Sequence, residues 1–233
     1  MVIARESRRA LLTNSISFRY KARMKFDQLF LPDCTYTKAY SIQKEIHAAV
    51  LNNTKNNTLF FTTHEHVITC GVSSQTTDFH FPDDYYRSLG ISVVKTDRGG
   101  KLTYHGPGQL VCYPIIRLDD YTMKVKDYIY SVEEIIIELL SHYEILGKRN
   151  ALYPIGIWAD DAKICSIGVH VEKRVTYHGL ALNVFPDLSY FNLFTPCGIQ
   201  NSRVTSMEKM LGRKFSLEEI RKKMTEIFIE KFS

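Results

Sequence analysis

The run RGGKLTYHGPGQLVCYP at residues 98–114 constrains the fold more than any other part of this chain. Four glycines (Gly99, Gly100, Gly106, Gly108) and two prolines (Pro107, Pro114) interrupt a stretch that otherwise reads as strands. Glycine costs backbone entropy and is kept where the chain needs a positive φ or a close backbone approach. Several of them around Arg98, Tyr104 and His105 predict a backbone that bends to meet a ligand. The run is not a phosphate loop, since GxxxxGK[ST] is missing. No GxGxxG opens a helix, so it is not a dinucleotide fingerprint. A smaller echo follows at Tyr177-His178-Gly179, and a cysteine, Cys197, stands between Pro196 and Gly198.

The flanking pattern predicts a strand at 24–30, an amphipathic helix at 36–51, and strands at 59–63 and 67–70. Residues 72–88 read as irregular, and 91–96 as a strand feeding the glycine-rich run. Residues 110–118 form a further strand, which Pro114 places at an edge or a bulge. The strongest helix spans 127–143, where Val132, Ile135, Ile136, Leu139 and Leu140 share a face and Gly147 follows the end. Strands at 156–158 and 163–172 surround the turn Asp160-Asp161, and another spans 175–184. A last helix begins at a capping box, Ser216-Leu217-Glu218-Glu219. Strict βαβ alternation is absent. The fold class is therefore α/β of the α+β type, a mixed β-sheet with helices to one side.

Charge separates the chain into two parts. Residues 1–25 carry seven basic side chains and one acid, Glu6, although the whole chain has a net charge of only +5. The rest is near neutral, so composition gives no argument for nucleic-acid binding. Residues 1–23 are read as a basic N-terminal extension, with 24–233 as a single catalytic domain. Three readings of the extension stand open: a targeting segment, a disordered arm, and translation that starts at Met24. No apolar run reaches membrane-spanning length. Five widely spaced cysteines without a CxxC pair point to a reducing compartment, with neither a disulfide framework nor a zinc site.

Cys197 occupies no regular helix or strand position. Most unpaired cysteines are small buried hydrophobes. A nucleophilic one needs a neighbouring cation or base to favour its thiolate. Three residues qualify. Lys163 opens a strand, where a lysine is ordinarily a solvated charge. His105 and His178 each precede a glycine, where a histidine often serves a turn.

Taken together, RGGKLTYHGPGQLVCYP, KICSIGVHVEKRVTYHGLALNV and FNLFTPCGI resemble the octanoyltransferases of protein lipoylation, the lipoyl(octanoyl) transferase family. The resemblance implies a biotin/lipoate protein ligase-like fold, a mixed sheet flanked by helices. It implies transfer of an octanoyl group from octanoyl-acyl carrier protein, where phosphopantetheine carries it. The acceptors would be lipoyl domains of 2-oxoacid dehydrogenases and the glycine cleavage H protein. Cys197 would be the acyl-thioester nucleophile, and Lys163 would favour its thiolate and act as acid and base. The substrate pocket would be lined by Arg98, Gly99, Gly100, Lys101, Leu102, Thr103, Tyr104 and His105, by Ser166, Ile167 and Gly168, and by Gly179, Leu180 and Ala181. His105 would then shape the pocket. Neither a metal nor ATP is implied, because a thioester donor and a thioester intermediate are close in energy. The nearest rival is an ATP-dependent lipoate-protein ligase of the same fold. The expected location is the cytoplasm, or an organelle matrix if residues 1–23 are a targeting segment. Thr63 and His66 stand where the family usually has Glu and Pro, and Val72 where an Arg often follows Gly71. Local changes at the rim of the site are expected from these.

Overall fold

A computed structural model describes residues 26–151, 155–195 and 203–233. The basic extension at 1–23 lies outside the described residues. Two mixed sheets carry the fold. The larger has six strands in the order β1-β2-β6-β9-β8-β7: β1 is Asp27–Cys34, β2 Thr58–His64, β6 Gln109–Ile115, β9 Val175–Asn183, β8 Ala162–Glu172 and β7 Gly156–Ala159. Only β1 and β2 run parallel; the other neighbours are antiparallel. The smaller sheet has the order β4-β3-β5, with β3 Val67–Cys70, β4 Ser92–Lys95 and β5 Leu102–His105. Among the described residues no helix is long and apolar enough to cross a membrane.

Helices cover both faces of the large sheet, where the sequence suggested one. Helix α1, Tyr36–Leu51, starts at Thr35, whose hydroxyl accepts the Lys38 N–H. Its inner face (Ala39, Ile46, Val50) packs against Phe60, Val111, Tyr113 and Ala181 of the sheet. Helix α3, Val125–His142, and helix α5, Leu217–Lys231, cover the opposite face through Val132, Ile136, Leu139, Ile220, Met224 and Phe228. Strands enclosed on both faces need no polar alternation, and β2, β6 and β9 are buried along their whole length. Two short helices, α2 at Asp83–Ser88 and α4 at Met207–Leu211, complete the α-helices among the described residues.

Three local expectations change. Strand β6 is central, with β2 on one side and β9 on the other, so Pro114 is not at an edge. It sits where the β9 ladder breaks, and the Thr176 hydroxyl bridges the gap by donating to Pro114 O and accepting Ile116 N–H. Helix α3 ends at a left-handed Glu144 (φ 63°), so Gly147 is not its cap. Gly147 instead lets the chain pass close to Leu140, whose Cδ1 would lie 2.9 Å from an added Cβ. At α5, Ser216 Oγ accepts the Glu219 N–H at 3.4 Å, which is one half of the expected capping box.

Gly179 is fixed by the same break in the ladder. A Cβ there would lie 2.2 Å from the Cys112 carbonyl oxygen and 2.6 Å from Pro114 Cδ. Neither is the flexible end of a side chain. Gly179→Ala is therefore expected to cost about 3 kcal/mol through overpacking, read as a lowered denaturant midpoint at unchanged m-value.

Candidate functional site

A cavity of about 470 Å³ lies against the α1-side face of the large sheet and is walled by both sheets. Strand alternation selects most of its side chains. Thr103 and His105 reach it from β5, Val111 and Tyr113 from β6, and Ser166 and Ala181 from β8 and β9, where the last two pair directly. The 98–101 loop closes one side, and Ile129 and Ile155 stand beside Lys163 in the lining. Of the residues expected to bind substrate, Arg98, Gly99, Gly100, Lys101, Leu102, Thr103, His105, Ser166, Ile167, Gly168, Gly179, Leu180 and Ala181 all line it.

Tyr104 is the exception and a correction. Between Thr103 and His105 it points to the other side of β5, as a two-residue period requires. There its ring stacks on Tyr190 at 5.0 Å and its hydroxyl bonds His66 Nδ1 at 2.8 Å. It belongs to the core of the small sheet.

Arg98 is almost fully buried and clamps the loop. Its guanidinium donates to Thr69 O, Thr69 Oγ1, Lys101 O and Gly99 O. The loop also donates Gly99 N–H to Val169 O, which fastens the small sheet to β8. Gly71 has no room for a side chain, because a Cβ would lie 2.3 Å from Gly100 O.

Lys163 is 4% exposed, at the start of β8. Its ammonium donates to Ile155 O at 3.3 Å and lies 4.8 Å from the centre of the Trp158 ring. Its backbone is held by a parallel bridge to Val204: Lys163 N–H donates to Arg203 O, and Thr205 N–H donates to Lys163 O. Cys197 lies outside the described residues. The chain leading toward it is anchored on the small sheet's side, where Thr195 N–H donates to Asp78 O and the Tyr86 hydroxyl to Leu193 O.

The two histidines occupy the cavity wall, each bonded to neighbours of its own. His105 bonds Gln109 Oε1 through Nδ1, and Gln109 in turn donates to Asn183. Burial pushes the His105 imidazole well below its usual range. His178 has a left-handed backbone (φ 57°), which is rare for a side-chain-bearing residue. Gln43 accepts its N–H from inside α1. Its Nε2 lies 2.7 Å from Asp97 Oδ1, and its Nδ1 lies 3.3 Å from the Tyr36 hydroxyl. Burial lowers His178 to about 4, so it is neutral at pH 7. A neutral ring satisfies both neighbours when Nε2–H donates to Asp97 and Nδ1 accepts from Tyr36. Burial opposes ionisation of Asp97, but hydrogen bonds from His178 and Tyr177 outweigh it and hold the carboxyl at about 2.

Several site residues escaped the sequence. Tyr36 and Tyr113 had no motif to mark them. Asp97 directly precedes Arg98 but lies outside every motif that marked the site. Gly156 read only as the first residue of a strand. The departures Thr63 and His66 are both absorbed locally. Thr63 Oγ1 donates to Asp33 Oδ1 and accepts Asp33 N–H, which secures the end of β1. His66 stacks on Tyr190 at 4.5 Å.

Comparison with known proteins gives a consistent picture. A family profile described as "Lipoyl protein ligase A/B catalytic domain" matches residues 35–229. An octanoyltransferase of Bacteroides fragilis is 36% identical over 199 residues, covering 81% of this chain and 90% of the relative. One from Rubrobacter xylanophilus is 39% identical over 214 residues, covering 89% and 94%. Among solved structures, a bipartite lipoate protein ligase from Thermoplasma acidophilum has a TM-score of 0.71 at 18% identity, covering 89% of this chain and 84% of that one. A lipoate-protein ligase A bound with ATP has a TM-score of 0.69 at 18% identity, covering 89% and 85%. At such identity the structural likeness bears on the fold alone.

Proposed function

Because the chain belongs to the lipoyl protein ligase A/B catalytic domain family, we propose that it is an octanoyltransferase of protein lipoylation. The donor is octanoyl-acyl carrier protein and the acceptor is a lysine of a lipoyl domain. The observation that carries this reading is the cavity itself: a space of about 470 Å³ with apolar side chains and bare backbone in its wall and the Lys163 ammonium among its lining groups. Glycine-lined walls let an acyl chain lie against the backbone. Octanoyltransferase relatives at 36–39% identity favour transfer over ATP-dependent ligation.

The proposed chemistry leaves the enzyme in the protonation state in which it began, with one proton passed from the acceptor amine to the donor sulfur. Cys197 thiolate attacks the donor thioester carbonyl and forms a new C–S bond. The bond to the phosphopantetheine sulfur breaks, and that sulfur takes a proton from the Lys163 ammonium. The neutral amine of the acceptor lysine then attacks the Cys197 thioester. An amide forms, Cys197 leaves as thiolate, and the proton shed by the attacking nitrogen passes to Lys163. Exchange of one thioester for another is near thermoneutral, so the reading requires neither ATP nor a metal. It places the reaction in the cytoplasm, or in an organelle matrix if residues 1–23 act as a targeting signal.

Incubation with octanoyl-acyl carrier protein alone is expected to raise the intact mass by one octanoyl group. Hydroxylamine should remove the adduct, and Cys197→Ala should not acquire it. A protein that octanoylates lipoyl domains only with ATP, and never carries the adduct, would refute the reading in favour of a ligase.

A further inference from the structure

Gly156 opens β7 with φ 148°, a backbone conformation that side-chain-bearing residues rarely adopt. An added Cβ would lie 2.6 Å from Lys163 Cε, 3.1 Å from Lys163 Nζ and 2.7 Å from the Cys165 carbonyl oxygen. The space left empty at Gly156 is thus the space that the Lys163 side chain occupies. The preceding residue provides an acceptor, since Nζ donates to Ile155 O at 3.3 Å.

Behind this turn stands a buried carboxylate that the transfer chemistry does not use. Glu133, on α3, is 8% exposed. One of its oxygens lies 3.4 Å from the Gly156 N–H and accepts it, and the other accepts Arg149 Nε–H at 2.8 Å. Arg149 also pairs with Glu134 at 2.6 Å. A carboxylate is retained in the interior only when such partners offset its lost hydration. Here the partners are a guanidinium and the backbone of an unusual turn.

We infer that Gly156, held in its conformation by Glu133, is a positioning residue for the Lys163 ammonium; this rests on the proton role proposed for Lys163. The chain of contacts runs from Arg149 to Glu133, to the Gly156 N–H, and through the adjoining Ile155 carbonyl to Nζ. None of these groups needs to touch substrate. A side chain at 156 displaces the ammonium, and a misplacement on the order of 1 Å costs about a hundredfold in rate.

A double-mutant cycle on the full chain tests this. Steady-state transfer from octanoyl-acyl carrier protein to a lipoyl domain is measured for wild type, Gly156→Ala, Lys163→Ala and the double variant. Gly156→Ala is expected to lower kcat about a hundredfold and to leave the donor KM within about twofold. In the Lys163→Ala background the same substitution is expected to change kcat by less than about twofold, since the group it would displace is gone. Losses that multiply, or a wild-type kcat for Gly156→Ala, would overturn the positioning role. Wild-type turnover by Lys163→Ala would overturn the proton role of Lys163, and the positioning role with it. Should Gly156→Ala fail to fold, Glu133→Gln carries the same test with the glycine intact. It is expected to lower kcat about tenfold in the wild-type background and not in the Lys163→Ala background. Equal losses in both would overturn the inference.

Discussion

Lys163→Met is expected to slow octanoyl transfer by about a hundredfold to ten-thousandfold, the usual contribution of a positioned acid–base group. That corresponds to about 3–5 kcal/mol of barrier. Methionine keeps most of the length and the contact with Trp158, so packing is largely preserved. What is lost is the charge and the proton. The strand start is fixed by its backbone bonds to Arg203 and Thr205, which the substitution leaves intact. Single-turnover rates separate the two half-reactions. Acyl-enzyme formation loses its proton donor, and aminolysis loses its base. Both should therefore slow, while the thermal midpoint stays near wild type. Retention of more than about a tenth of the rate would move the proton chemistry to another group.

Acidification should unfold this protein through its buried imidazoles. Burial lowers His64 and His178 to about 4 and His105 well below its usual range. Their hydrogen bonds suit neutral rings: His64, for example, lies between the Cys34 carbonyl and the Tyr113 hydroxyl. The unfolded chain takes up protons near pH 6.5, where the folded one does not. Stability from these groups is thus fully present above pH 6.5 and falls as pH drops from there toward about 4. Each histidine contributes up to about 1.4 kcal/mol per pH unit, and the three together up to about 4. Asp97 adds a further loss only lower down, as pH falls from about 4 toward 2. Urea midpoints measured between pH 8 and pH 4.5 should be flat above about 7 and then drop steeply. His64→Gln should remove about a third of that slope. A midpoint unchanged down to pH 5 would contradict the neutral, buried assignment.

The sequence was most legible where one period ruled a segment. Helix α1 and strand β3 fall where the pattern puts them, because their apolar spacing has one geometric solution. Strand β5 was hidden, since the glycines around Leu102–His105 masked its alternation. The division into two sheets was also hidden. Nothing local tells β3 that it will leave β2 and pair with β4 and β5. The wall of the cavity was legible as motifs, because glycines mark close approach wherever they fall. The groups behind it were not. Gln43, Asp97 and Glu133 act through partners 16 or more residues distant, for example Glu133 on Arg149 and Gln43 on His178. A lone sequence carries no trace of such pairings.

The two sheets keep separate cores, one built around Ile68, Tyr86 and Tyr104, the other around the central strands of the large sheet. Each ladder of hydrogen bonds closes within its own sheet, so neither is spent on holding the sheets at a set spacing. That spacing rests on a few clasps, such as Gly99 to Val169 and Asp97 to His170. The interior can then be re-dimensioned by lineages of sequence without re-solving the fold. Side chains that face the gap, unlike the glycines pressed against backbone at 71 and 179, can drift in size provided that the clasps persist. A scaffold of this kind accommodates descendants with longer, shorter or functionalised acyl cargo, and its stability would record little of the change.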